Sequence, residues 1–297
     1  MTVESCVSKS IVLMDMVFQG TVLGPTLWNA FFSDIADFVT DSRQQAQIFA
    51  DDLNVVADYP AELSEPIVLE DLSEAQRKAH IWGRRNQVTF DPSKEHFHIV
   101  HPYRKESVTF RLLGSVIDEA LSMRPLIDKL LNKLKPKVRA LLRLQHVSSL
   151  RDLLNQFKAH VWSYLEYHNG AIIVAKRADR ERLDRMQRSF LHQLGLTDEE
   201  AFVNFNFAPL SLRRSIGILG FLHKRILGTC HPTLVQVFPL AAPLLHNKTI
   251  DGSLLLQVRS HRALHARSIW PYIHIYNRLS QGMVDHRDMK SFQSHLT

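Results

Sequence analysis

The sequence predicts an α+β fold that changes character partway along: a mixed region of short strands and helices over residues 1–121, then a mostly helical region over 122–235. Three observations predict it. Short apolar runs rich in β-formers, bounded by turn residues, crowd the first 120 residues. After Ser122 the apolar residues step instead at intervals of three and four. Positive charge then collects where the helical pattern begins: Arg124–Arg188 holds 15 Lys/Arg against 6 Asp/Glu, a balance of +9, in a chain of net charge +6. Beyond residue 235 the periodicity weakens, and 236–297 reads as a helical or irregular tail.

Residues 11–18 (IVLMDMVF) read as a buried strand, and Gln19-Gly20-Thr21-Val22-Leu23-Gly24-Pro25 as a tight loop opening a helix. The glycines permit conformations other residues resist, and Pro25 suits a first helical position. Leu27, Phe31, Ile35 and Phe38 then step at helical spacing. Residues 46–58 (AQIFADDLNVVAD) place two apolar arms around Asp51-Asp52, which predicts a hairpin with the aspartates at its turn. Val68, Leu72, Ala75, Ala79 and Trp82 make one helical stripe. Val88–Phe90 and His96–Val100 alternate like strands around the turn Asp91-Pro92-Ser93-Lys94, and Phe110–Val116 reads as a further hairpin containing Gly114. In the helical region Leu126 to Leu142 form one helix, expected to kink or break near Pro136. Leu150 to Leu165, Leu183 to Leu194 and Ser211 to about Leu227 form three more.

A hydrophobic fraction of 45% and a charged fraction of 22% over 297 residues suit a globular protein with a real core. The localised basic stretch suits a polyanionic partner. Two distant cysteines, Cys6 and Cys230, make neither a disulfide framework nor a zinc pair, so an intracellular location, nuclear or cytoplasmic and not secreted, is expected. No apolar run approaches the roughly 20 residues of a membrane span, and no membrane partner is expected. His96, His98 and His101 lack a further ligand and read as ordinary strand histidines.

The chemistry concentrates at Asp51-Asp52. Two carboxylates close together repel unless a cation neutralises them. Oxygen ligands backed by apolar strands suit Mg²⁺, with Mn²⁺ as a substitute, which takes one or two carboxylates plus substrate phosphates and waters. That set is what two-metal phosphoryl transfer requires.

The pair is not isolated. The string VFQGTVLGPTLWNAFFSDI resembles the loop-and-helix string of reverse transcriptases of the non-LTR-retrotransposon type, and QIFADDLNVV resembles that family's Phe/Tyr-x-Asp-Asp hairpin, in the same order and at similar separation. Phe18 stands where the family prefers proline. Trp82-Gly83 with Asn86, then Val88 to Lys94, is similar to the family's Trp…Asn…Lys segment; Phe110 to Val116 to its Phe-Leu-Gly primer grip; Ser163 to Tyr167 to a Leu-Glu-Tyr string; and Pro209-Leu210 with Arg213-Arg214 to its downstream tail. The resemblance, from about residue 17 to 230, implies a partial right-hand palm followed by a thumb. It implies that Asp51 and Asp52 hold catalytic metal and that Lys94 lies near the leaving pyrophosphate. It further implies that Gln19, Gly20, Leu23, Gly24 and Pro25 line the template and nucleotide pocket, and that Leu112, Leu113 and Gly114 grip the primer. The implied partners are an RNA template, a DNA primer and a dNTP.

The family pattern also breaks. Its third metal carboxylate lies on a strand upstream of the Gln-Gly loop, and nothing in the 18 residues before Gln19 matches; Asp15 falls too late in the order, and Glu4 lacks the context. The family's fingers have no counterpart here. The expectation is therefore a reverse-transcriptase polypeptide truncated ahead of the Gln-Gly loop and inactive alone, with a partner chain as one source of the missing half. The other reading is a nucleic-acid-binding remnant that has lost catalysis.

Overall fold

A computed structural model describes residues 2–3, 6–7, 20–101, 104, 107–241, 254–255 and 262–296. The chain is a mixture of helices and small antiparallel strand pairs, and it divides into two compact units, Met1–Ile99 and Val100–Thr297. The expected strand over 11–18 lies outside the described residues, as does Gln19.

In the first unit β1 (Thr2–Val3) pairs with β2 (Cys6–Val7). Helix α1 (Gly24–Phe32) starts with Pro25 in its first turn. The single helical stripe expected from Leu27 to Phe38 is divided: α1 stops at Phe32 and α2 runs Ile35–Val39. Two side chains at the break take over local bonding: Ser33 Oγ donates to the Ala30 carbonyl at 2.9 Å, and the Asp34 carboxylate accepts the Trp82 indole N–H at 3.0 Å. The break turns Phe32, Ile35 and Val39 inward and leaves Leu27 and Phe31 exposed.

Strands β3 (Gln44–Phe49) and β4 (Asp52–Ala57) form the hairpin predicted around the aspartates, with Phe49 opposite Asp52 and Ala50-Asp51 as the turn. Helix α3 (Glu65–Arg85) buries Val68, Ala75 and Trp82 as its stripe predicts. Trp82 joins Phe32, Ile35 and Val39 as the buried core of this unit. Val88–Phe90 and His96–Val100 are not strands; neither joins a ladder among the described residues. Val88 gives its N–H to the Gly83 carbonyl at the end of α3 instead, while Val88 and Phe90 pack on the Phe32–Trp82 core. Gly83 is required for this: a Cβ there would lie 2.5 Å from the Val88 carbonyl oxygen.

The second unit opens with the hairpin of β5 (Thr109–Leu112) and β6 (Ser115–Asp118), so the strands expected to close a palm pack with the helices. Asp118, buried at the end of β6, accepts the backbone N–H groups of Met123 at 2.7 Å and Ser122 at 3.0 Å, and so fixes the entry to α4 (Arg124–Arg143). Helix α4 runs through Pro136 without the expected break. Leu130, Leu131 and Leu134 before the proline and Val138 and Leu141 after it are buried in one cluster, while Asn132, whose carbonyl loses its helical donor, faces solvent. Helix α5 (Leu150–Phe157) continues through a π-helical turn, Lys158–Trp162, into α6 (Ser163–Tyr167), followed by α7 (Asn169–Ile172). Then come α8 (Arg177–Gln193), α9 (Asp198–Phe205), closed by a Thr197–Glu200 capping box, and α10 (Leu210–Ile226). Phe157 lies at the centre, stacked on Phe190 and edge-on to Phe207.

The tail returns to α10. After α11 (Pro232–Val237), β7 (Leu240–Ala241) pairs with β8 (Leu254–Leu255), and four short helices follow: α12 (Ala263–Ala266), α13 (Trp270–Tyr276), α14 (Gln281–Val284) and α15 (Met289–His295). They bury Ile273, Tyr276, Val284 and Phe292 against Leu219 and Leu222. Buried His223 stacks on Phe292 and bonds the Tyr276 hydroxyl and the His286 carbonyl, each at 2.6 Å. No helix among the described residues is long and apolar enough to cross a membrane.

Candidate metal centre and nucleic-acid surface

In the first unit Asp51 and Asp52 are exposed at the tip of the β3–β4 hairpin. Asp51 is a turn residue and Asp52 begins β4, so the regular alternation of faces is interrupted between them. Ala50 takes φ +52°, in the left-handed region. The turn is tied from outside: the Trp28 indole N–H donates to the Ala50 carbonyl at 2.9 Å. Trp28 sits on α1, stacked on Phe32, so the helix that follows the Gly-Pro loop holds the tip carrying the aspartates. Sequence reading missed this bond; its only signal is a tryptophan one turn into the helix.

The loop itself is open. Gly20 takes φ +87° with nothing near its absent Cβ, Pro25 is exposed, and Leu23 is 66% exposed. Val22, at 94%, shows an apolar side chain to solvent. Gly24 is buried and donates its N–H to Thr21 Oγ1 at 3.1 Å. Lys94 ends a 3-10 turn, Pro92–Lys94, fully exposed and 3.8 Å from Asp91. Two bonds from Ser93, side chain and backbone, hold the Asp91 carboxyl below its usual range. The segment's Trp82, Gly83 and Asn86 have structural duties: core, close approach and the C-terminal cap, with Asn86 Nδ2 donating to the Trp82 carbonyl.

The fit to a divalent ion is partial. Two carboxylates suit Mg²⁺ where substrate phosphates and waters complete the shell. Among the described residues no group of three His, Cys, Asp or Glu side chains is gathered to hold a metal.

In the second unit Leu113-Gly114 forms the turn of the β5–β6 hairpin, with φ +45° and +79°. The Tyr167 hydroxyl donates to the Leu113 carbonyl at 2.8 Å, and Ser115 Oγ lies 2.8 Å from His168 Nδ1. The Leu-Glu-Tyr string and the grip-like hairpin are thus neighbours, and Tyr167 remains 67% exposed. Leu112, one residue back on β5, is half-buried. Beside them α4 carries Lys129, Lys133 and Lys137 at four-residue spacing, with the last two over the Tyr164 ring. Burial, then the charges of Lys129 and Lys133, hold the His168 imidazole below its ordinary value.

No protein-family model, curated protein or solved structure matches the chain.

Proposed function

We propose that this chain is a reverse-transcriptase-type polypeptide of the non-LTR-retrotransposon kind, carrying the later part of the palm and a thumb-like helical region. It binds nucleic acid and, as a 297-residue polypeptide, does not extend a primer. One observation carries the reading: the turn that presents Asp51 and Asp52 is bonded to Trp28, on the helix opened by Gly24-Pro25. The helix of one string is thus bonded to the turn of the other, and that contact supports the reading. The lysine ridge of α4 beside Tyr164 and exposed Tyr167 supports the nucleic-acid part, because single strands are held by cations that track phosphates and rings that stack on bases.

In a complete site Mg²⁺ would organise the attacking hydroxyl and the triphosphate. Asp51 and Asp52 would hold it from the hairpin tip. Lys94, with its ammonium in solvent, would meet the negative charge that develops on the leaving pyrophosphate. A missing carboxylate removes an electrostatic element worth on the order of 10²–10³ in rate. The lysine ridge and Tyr167 would bind without any carboxylate, and that supports the second reading, a non-catalytic nucleic-acid-binding remnant.

Primer extension on a homopolymer RNA template with Mg²⁺ or Mn²⁺ separates these readings. The expected result is no extension by the 297-residue chain and gain of extension when a segment bearing the absent Asp strand is supplied upstream or in trans. Clear extension by the chain alone that disappears in Asp51→Ala/Asp52→Ala would overturn the claim of inactivity. No rescue by any supplied segment favours the remnant. Failure to bind RNA or DNA at low salt would remove both.

A further inference from the structure

We propose that the arginine-lined cleft between α8 and α10 is a second nucleic-acid contact, built to take one phosphodiester group and part of the adjoining nucleotide. This rests on the nucleic-acid reading above but on none of its residues. The cleft, about 410 Å³, is large enough for more than a bare phosphate. Arg177, Arg180, Asp184 and Arg188 fall on its wall at helical spacing along α8. Ser211, Arg214 and Ser215 face them from the first turns of α10, and Tyr272 of α13 closes one side.

The charge arrangement is unequal. Arg214 is spent in a two-pronged pair with Asp184, both bonds at 2.7 Å, and Arg188 pairs with Glu181. Those pairs leave Arg177 and Arg180 with no ion pair among the described residues, facing a single further carboxylate, Asp198. Burial first, then the neighbouring Arg214 charge, pulls the Arg180 guanidinium below its ordinary value. A half-buried cation crowded by another cation is costly until an anion arrives. The lining adds up to four arginines against Glu181, Asp184 and Asp198, a surplus of one positive charge. One surplus charge matches the single negative charge of a phosphodiester better than the double charge of a terminal phosphate. Guanidinium forks suit phosphate oxygens, and the Ser211 and Tyr272 hydroxyls add donors around them. Ser215 Oγ donates to the Ser211 carbonyl at 3.1 Å and lies 3.5 Å from the Tyr272 hydroxyl, which holds Tyr272 at the edge of the cleft. Arg177 and Arg180 also fall within the +9 stretch of the sequence.

The test uses the full chain, its Arg177→Gln/Arg180→Gln variant and Arg180→Lys. Binding of a short single-stranded RNA is followed by fluorescence anisotropy over a salt series, and binding of dimethyl phosphate by the arginine side-chain N–H resonances. The double variant is expected to bind RNA about tenfold more weakly, with a salt slope shallower by about 1 to 2, while Arg180→Lys keeps most of the slope. Dimethyl phosphate is expected to shift the Arg180 signal. RNA binding by the parent that is unchanged in the double variant sinks the cleft and leaves the nucleic-acid reading standing. A dimethyl phosphate response at Arg180 without any RNA binding keeps the phosphodiester site and sinks that reading. No response to either probe sinks both.

Discussion

The chain contains two hairpins of similar size, and they are held in opposite ways. The hairpin at 44–57 carries its chemistry on an exposed tip, and one indole bond from α1 ties its turn. The hairpin at 109–118 is tied at its turn by Tyr167 on the Leu113 carbonyl and His168 at Ser115, and its own Asp118 accepts the N–H groups at the entry to α4; the first hairpin's other side-chain tie, Gln44 to Asp71, lies at the end far from its turn. Both turns place a non-glycine residue in the left-handed region at their first position, Ala50 at φ +52° and Leu113 at φ +45°, and the second adds Gly114 at φ +79°. One tip is left open to solvent; the other is cross-tied to a helical body. Each of the following changes should act on one hairpin and spare the other.

The largest effect is expected from Trp82→Ala. The ring packs edge-on against Phe32, is almost fully buried, and donates to Asp34. Removing it should cost the first unit about 3–5 kcal/mol. Hydrogen exchange should rise sharply over 44–57 and stay unchanged over 109–118; equal rises in both would contradict the division into separately stabilised units. Next comes Asp118→Ala, which strands the N–H groups of Ser122 and Met123, in a turn where Leu121 and Met123 take left-handed backbone. A loss of about 1–3 kcal/mol, with exchange rising over 115–126, is expected from denaturant unfolding.

The hairpins were legible for a local reason. Their apolar alternation, Asp-Asp and Gly114 lie within a few residues of one another, so strand and turn propensity suffice. The stripes of α3, α4 and α8 were legible likewise. What failed was non-local. Nothing near Val88 announces that Gly83 will take its N–H, and nothing near Ser33 shows that Trp82 will claim Asp34 and divide the helix. Pro136 was misjudged because its local cost is offset by leucines on both sides buried in one cluster. Within the candidate site the aspartates were legible and their tether was not, since Trp28 reads equally well as core.

Smaller effects separate the tethers. Trp28→Phe and Tyr167→Phe each remove one hydrogen bond to a turn carbonyl, and each should cost about 0.5–1.5 kcal/mol at its own hairpin. Near neutral pH the second hairpin should also respond to pH. The His168 pKa is depressed in the folded chain, so the unfolded chain takes up its proton first. The stability it contributes is present above the ordinary histidine value of about 6.5 and declines as pH falls through and below it. Protection factors over 109–118, which remove the intrinsic pH dependence of exchange, should therefore fall between pH 7.5 and 5.5, and His168→Gln should flatten that fall; a fall confined to 44–57 would assign the effect to other groups.

The smallest change is the most informative about the first hairpin. Ala50 holds a left-handed backbone that an alanine adopts at a cost of about 1–2 kcal/mol, and only the Trp28 bond and the strand register oppose its relaxation. Ala50→Gly removes the Cβ clash and adds freedom to the unfolded chain, so the net effect should be a stabilisation of at most about 1 kcal/mol in the first unit. If the strain exists to present Asp51 and Asp52 on the same side, the relaxed turn should weaken Mn²⁺ binding at the tip even as the unit becomes more stable. Paramagnetic broadening of the Asp51 and Asp52 resonances measures the first quantity and thermal unfolding the second. Stability and Mn²⁺ binding rising together would show that the turn conformation is incidental and that the aspartates act without it.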